Sequence, residues 1–259
     1  MTYASEVRES VRAAGVAELV WRHPEGAPQA IGVVPLLLGD SPAVALPWAY
    51  EATARAVAAA DEVALALTEL RLAGSAWRPL ALVGRPRLVE DDDGALFTEH
   101  LLDQELRKHP PSRLLMDSFL LRREHWWYLP RLVLLVEGGR VLPLAARGTP
   151  AEALLAVDDG GLHLATVQVQ DWDAEPLTLS GAPACTGAAA LVGQEVSVPD
   201  AERWTVHVTA GRCTDGQLHV GERPPTRGLE AVPGLRARMR RQRALERACV
   251  RALRTAGHG

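Results

Sequence analysis

Cysteine is scarce in this chain. Cys185, Cys213 and Cys249 are the only three in 259 residues, widely spaced and without a Cys-x-x-Cys pair. That excludes a disulfide framework and a zinc knuckle and fits a reducing cytoplasm. Lysine is scarcer still: Lys108 stands alone among arginines, a bias read here as genome composition rather than mechanism. Long apolar runs are missing as well. Ile31 to Leu38 is interrupted by Pro35, and Val63 to Leu67 follows Asp61 and Glu62, so neither approaches the roughly 20 residues needed to span a bilayer. The start, Met1-Thr2-Tyr3-Ala4-Ser5-Glu6, meets acids and arginines before any apolar run, and no secretory leader is expected. Nor is there an excess of charge. A net charge of -4 and a pI near 6.1 give no global attraction for nucleic acid or anionic membranes, so neither is expected as a partner and any polyanion site would have to be local. Gly-x-Ser-x-Gly, a phosphate loop, His-Glu-x-x-His and a Rossmann glycine run are all absent, which removes support for serine hydrolase, nucleotide hydrolase, zincin and dinucleotide-fold readings.

What is present is an ordinary globular balance, 47% hydrophobic and 23% charged, in a chain long enough for one large domain or two small ones. After a short amphipathic helix at 5–13, Val16 to Trp21, Ala30 to Leu38 and Ala43 to Leu46 are apolar, branched runs that read as strands, with a tight hairpin at Gly39-Asp40. Glu51 to Ala60 is alanine-rich and unbroken, the clearest helix of the first half. Val63 to Thr68 and Leu80 to Val89 return to strand character. Phe97, Leu101, Leu102 and Leu106 mark a helix that ends at Pro110-Pro111, and a second helix is expected at 112–121. Tyr128 to Val136 reads as a strand turned by Gly138-Gly139 into Val141 to Ala145.

The second half reads as strands at 153–157, 162–169, 176–179, 188–198 and 203–213, with Asp215-Gly216 folding 217–221 back on its predecessor. An arginine-rich helix, 235–255, closes the chain. Turns of Gly and Asp between strands point to antiparallel barrels rather than a βαβ sheet. The expectation is a mainly β fold, with a split barrel in residues 16–145 and a smaller β-barrel-like unit in 150–222, dividing the chain into domains 1–147 and 148–259. Ala81-Leu82-Val83-Gly84 and Ala190-Leu191-Val192-Gly193 echo each other, so a degenerate duplication and two unrelated β segments both stay open.

The order strand, strand, strand, short helix, strand, long strand, helix, strand over 16–136 resembles the FMN-binding split barrels of the pyridoxamine-phosphate-oxidase type. Thr53-Ala54-Arg55 looks like that family's hydroxyl-x-basic signature, and Trp77-Arg78-Pro79-Leu80 like its basic residue at the head of a long strand. The resemblance implies a flavin-dependent oxidoreductase with FMN or a deazaflavin held by Thr53, Arg55 and Arg78, its ring near Trp77 or the pair Trp126-Trp127. It also implies assembly as a homodimer or an internal pseudo-dimer around the cofactor. A phosphate needs donors and positive charge, which a helix N-terminus, a threonine hydroxyl and an arginine supply. One departure stands out: Val33 to Leu38 has no basic residue where the family places one. A non-catalytic relative that binds a small planar ligand or a protein partner, and a haem-binding relative using His125, are therefore the alternatives. No catalytic residue is assigned. His207 and His219 fall out of register on one hairpin and make poor metal partners. Asp103 and Glu105 face different sides of a helix. Arg236, Arg238, Arg240, Arg241 and Arg243 form either a solvated face or a surface for an anion.

Overall fold

The computed structural model describes residues 3–23, 26–199, 201–229 and 231–257. Helix α1 (Tyr3–Ala13) leads into strands β1 (Ala17–Trp21), β2 (Gln29–Val33), β3 (Leu36–Leu38) and β4 (Ser41–Pro47), then helix α2 (Glu51–Ala58), β5 (Val63–Leu67) and β6 (Leu80–Asp91). A π-type turn at Phe97–Leu101 continues as α3 (Leu102–Lys108), followed by α4 (Arg113–Met116), α5 (Phe119–Glu124) and β7 (Arg131–Pro143). The second half contains β8 (Glu152–Asp158), β9 (Leu162–Val169), β10 (Leu177–Ser180), β11 (Gly187–Val196), β12 (Trp204–Thr214) and β13 (Gln217–Glu222), and α6 (Leu235–Thr255) ends it.

Strands β1 to β7 form one antiparallel sheet in the order β2-β1-β5-β6-β7-β4-β3, while β8 to β13 close into a barrel, β10-β13-β12-β11-β8-β9. The fold is mainly β, of split-barrel type, with a few flanking helices. With the three-residue β3 set aside, the two halves have the same order. The first half runs β2-β1-β5-β6-β7-β4 and the second β9-β8-β11-β12-β13-β10. The shared pattern extends to a register shift in the corresponding strand pairs, at Gly84/Arg85 between β6 and β7 and at Ala210/Gly211 between β12 and β13. The sequence echo does not follow this correspondence. Ala81 to Gly84 lies on β6 and Ala190 to Gly193 on β11, whereas β6 corresponds to β12 in strand order.

Three local expectations change. Gly138-Gly139 is not a turn: β7 runs straight through it, and the pair forms a bulge opposite Gly84. Gly138 has φ +48, and a Cβ on Gly139 would lie 1.9 Å from the Val83 carbonyl oxygen, so two glycines permit a bulge that lets a 13-residue strand bend without ending. The run 30–38 is two strands broken at Val34-Pro35, where proline removes a ladder donor. The helix expected at 112–121 is two short ones, α4 and α5, the second capped by Ser118, which accepts from the Leu121 amide at 3.2 Å. The turns at Gly39-Asp40 and Asp215-Gly216 close their hairpins as expected, through Gly39 at φ 62, Asp215 at φ 50 and Gly216 at φ 74, and His219 pairs with Arg212.

Every residue of β1 and β5 is buried. Alternation along a strand sends Leu19, Trp21, Val63, Leu65 and Leu67 to the core under α1 and α2, and Val20, Ala64 and Ala66 to the opposite face. There they meet Leu154, Ala156, Leu162 and Val192 of the second half. Small side chains at Ala64, Ala66, Ala81 and Ala156 let the two β units approach closely. Helix α6 lies back across the first half, where Cys249 and Leu253 join the core that contains Trp48 and Trp127. Among the described residues no helix is long and apolar enough to cross a membrane.

Candidate functional site

Three elements converge on one open cleft of about 820 Å³. The end of α1 contributes Arg12 and Ala13, α3 with its preceding turn contributes His100, Gln104, Arg107 and Lys108, and the loop after β5 contributes Arg71 and Leu72. Pro199 of the second half closes one side. All titratable side chains on this wall are basic, and no Trp, Tyr or Phe lines it.

The geometry follows from local chemistry. Gln104 docks α3 on the edge strand β3 by behaving as a piece of backbone. Its Oε1 accepts from the Leu37 amide at 3.0 Å, while its Nε2 donates to the carbonyls of Leu37 at 2.8 Å and His100 at 2.9 Å. Lys108 ties the next turn to two other segments: its Nζ donates to the Val11 carbonyl at the end of α1 and to the Pro35 carbonyl at 2.6 Å. A cation against the last carbonyls of a helix is favourably placed. Burial dominates nonetheless, and with the Arg107 charge beside it pushes the Lys108 pKa down to about 7. Arg71 is committed, its guanidinium meeting Glu69 at 2.8 and 2.9 Å and Glu195 at 3.7 Å. Arg12 and Arg107 have no carboxylate partner among the described residues.

Behind this wall α3 is held by a buried polar cluster. Glu105 accepts from Ser112 at 2.7 Å and from Tyr128 at 2.9 Å, and Arg131 approaches it at 3.6 Å between the rings of Phe97 and Tyr128, 4.1 and 3.9 Å away. Burial and the Glu105 charge raise the Tyr128 pKa, so its hydroxyl stays a donor. A second buried cluster lies on the seam between halves: Arg147 bonds Glu18, Thr68 Oγ1 at 2.7 Å and the Val192 carbonyl at 3.1 Å, and Gln194 joins Glu69 at 3.0 Å to Trp204 Nε1 at 3.1 Å.

Against this geometry no protein-family model and no curated protein sequence matches the chain. Solved structures do resemble it. A haem-binding protein from Mycobacterium smegmatis is 14% identical over 100% of this chain and 99% of its own, with a TM-score of 0.37. A pyridoxamine 5'-phosphate oxidase-related, FMN-binding protein from Nostoc punctiforme is 14% identical over 79% of this chain and 93% of its own, at 0.32. A protein of unknown function from Agrobacterium tumefaciens is 14% identical over 54% of either chain, at 0.37, so this chain spans about half of that protein's length.

The residues singled out from sequence do not form one site, although His125 and Trp127 pack edge-on with ring centroids 6.1 Å apart. Thr53 is half-buried on α2, and Arg55 reaches Glu51 at 3.3 Å and Glu90 at 2.6 Å on the surface. Arg78 precedes the other end of β6, where its Nη1 donates to the Trp77 carbonyl at 3.0 Å. Leu80 and Glu90 are ten residues apart along β6, a strand length of roughly 33 Å, so the two arginines belong to opposite ends of that strand. An FMN phosphate does not fit on α2, because the two carboxylates that hold Arg55 would repel it. Trp77 is buried in the first core. His125 is occupied at both ring nitrogens: Nδ1 lies 3.2 and 3.1 Å from the carbonyls of Leu115 and Leu121, and Nε2 lies 2.9 Å from Gln242. Trp127 packs in the core, edge-on to Tyr128, whereas Trp126 is 54% exposed. His207 lies on β12 opposite Gly193, edge-on to Trp172, and burial pushes its pKa down to about 4. Among the described residues no His, Cys, Asp and Glu cluster could hold a metal ion.

Arg55→Ala is expected to change stability by no more than about 1 kcal/mol, the ceiling for an exposed ion pair, and to leave anion binding untouched. Urea unfolding and an anion titration of the variant check both.

Sequence reasoning missed Arg12, Arg107 and Lys108. Two signals were available, the solitary lysine and a Glu105 lying on the apolar stripe of its helix.

Proposed function

We propose that the protein is a split-barrel ligand-binding protein that takes a small, compact anion, phosphorylated or carboxylated, into the cleft between α1, α3 and the loop after β5. One observation carries this reading: Arg12 and Arg107, without carboxylate partners among the described residues, converge with Lys108 on a wall that has no acidic side chain. Guanidinium groups suit phosphate and carboxylate oxygens through paired donors. A cleft of about 820 Å³ lies in the size range of small-molecule sites. The proposal treats residues 1–147 and 148–259 as the two halves of an internal pseudo-dimer, supported by their common strand order and the buried seam.

A flavin-dependent oxidoreductase is the second reading, and what favours it is the fold. The phosphate ligands it requires on α2 are neutralised, and no Trp, Tyr or Phe lines the cleft for a flat ring to stack upon. The non-catalytic alternative agrees better with both facts. An absorption spectrum of freshly purified protein, followed by calorimetric titration with inorganic phosphate, pyrophosphate and FMN, tests the choice. The expected result is a spectrum without flavin, deazaflavin or Soret bands and saturable binding of the simple anions. Stoichiometric flavin in the purified protein would overturn it.

A further inference from the structure

The formal charge of -4 conceals a separation. Helix α6 carries eight arginines and one glutamate, hence +7, and the remainder of the chain carries -11. Six of those arginines, Arg236, Arg240, Arg243, Arg247, Arg251 and Arg254, follow one another at spacings of four, three, four, four and three residues. At 100° per residue they fall within a sector of about 80° on one side of the helix. The buried residues Cys249 and Leu253 lie on the other side. All six are exposed, with no carboxylate partner among the described residues. At 1.5 Å per residue the row is about 27 Å long.

A solvated helix face would end there. Arg243 of this row borders a groove with His125 and Trp127, and on the far side of that groove the structure exposes large apolar side chains. Gln242 on α6 contacts His125 at the end of α5, and α4, α5 and the following turn present Leu114 at 72% exposure, Phe119 at 78%, Leu120 at 74% and Trp126 at 54%. Met239 of α6 is also exposed and borders the same groove as His125 and Trp127. Arg122 and Arg123 follow the apolar pair on α5.

We infer that α6, together with the exposed apolar side chains of α4 and α5, docks the protein on an anionic lipid bilayer. Guanidinium groups in a row meet lipid phosphates, and leucine, phenylalanine and tryptophan enter the headgroup boundary, the arrangement of interfacial amphipathic surfaces. Nucleic acid would satisfy the arginines but leave exposed leucines and a phenylalanine without a role. This departs from the expectation drawn from net charge, which hides the +7 carried by one helix.

The test uses the full chain and sedimentation with vesicles of phosphatidylcholine, with and without phosphatidylglycerol. Binding to the anionic vesicles alone is expected, weakening as salt is raised. Arg243→Gln/Arg247→Gln/Arg251→Gln should lose affinity by about a hundredfold, from roughly 1 kcal/mol per basic residue at an anionic surface. Phe119→Ser/Leu120→Ser should lose about tenfold, with the salt dependence kept. Both variants alter exposed residues, and unchanged circular dichroism confirms their fold. The proposal is overturned by equal binding to neutral vesicles, by no binding, or by a single-stranded oligonucleotide that displaces the protein from vesicles at lower concentration than phosphatidylglycerol vesicles retain it.

Discussion

Arg147→Met is expected to destabilise the protein by about 3–5 kcal/mol in urea unfolding near pH 7, the effect of leaving a buried charge without its partner. Glu18 is fully buried on β1, in a strand otherwise apolar, and among the described residues its carboxylate is matched by Arg147 and Thr68. Burial raises the Glu18 pKa even with Arg147 opposing the shift. A carboxyl whose folded pKa is raised contributes stability that is complete below its unfolded pKa and lost as pH rises through the folded one. Without Arg147 the folded pKa climbs further, so the deficit of Arg147→Met against the native protein should shrink as pH falls from about 7 to about 5. Glu18→Leu/Arg147→Met removes both charges and should recover more than half of the loss. A deficit independent of pH would place its origin in packing instead.

Arg12→Ala and Arg107→Ala are each expected to weaken binding of pyrophosphate by roughly tenfold to a hundredfold, from about 1.5–3 kcal/mol for a hydrogen bond to a charged group. Lys108 adds a pH dependence with a defined sign. In the free protein its pKa is held down to about 7, and a bound anion favours the charged amine. Affinity should therefore rise as pH falls from about 8 to about 6, and Lys108→Met should flatten that rise. Stability moves the opposite way. Between about pH 7 and the unfolded value near 10.4 the unfolded chain binds the proton that the folded one lacks, so native stability should increase with pH by up to about 1.4 kcal/mol per unit. Lys108→Met should remove this slope too. Calorimetric titration and urea unfolding across that range measure the two effects. An affinity indifferent to all three substitutions would take the anion out of this cleft.

Elements that depend on near neighbours were legible in the sequence. Strands β5, β9 and β13 begin at the residues where the sequence reading places them, and the hairpins at Gly39-Asp40 and Asp215-Gly216 announce themselves because positive φ needs glycine or a short polar residue. Gly138-Gly139 misled for the same reason: a glycine pair licenses a turn or a bulge equally, and only the partner strand, with Gly84 opposite, selects the bulge. Glu18 was visible as an acid inside an apolar run, but its partner lies 129 positions away.

The candidate site divides along the same line. Thr-x-Arg on α2 is a motif of adjacent residues, and adjacency says nothing of Glu90, which reaches Arg55 from β6 and cancels its charge. Arg12, Arg107 and Lys108 come from two helices whose relation is set by the Gln104 and Lys108 contacts to backbone carbonyls, and no spacing rule encodes such a contact. By itself the sequence determined the β-rich class, the turns and the amphipathic helices, because periodicity and backbone preference are local. Tertiary structure decided the repeated strand order, the pairing of buried charges and which arginines remain without carboxylate partners, because each depends on residues distant in sequence that meet only in the folded chain.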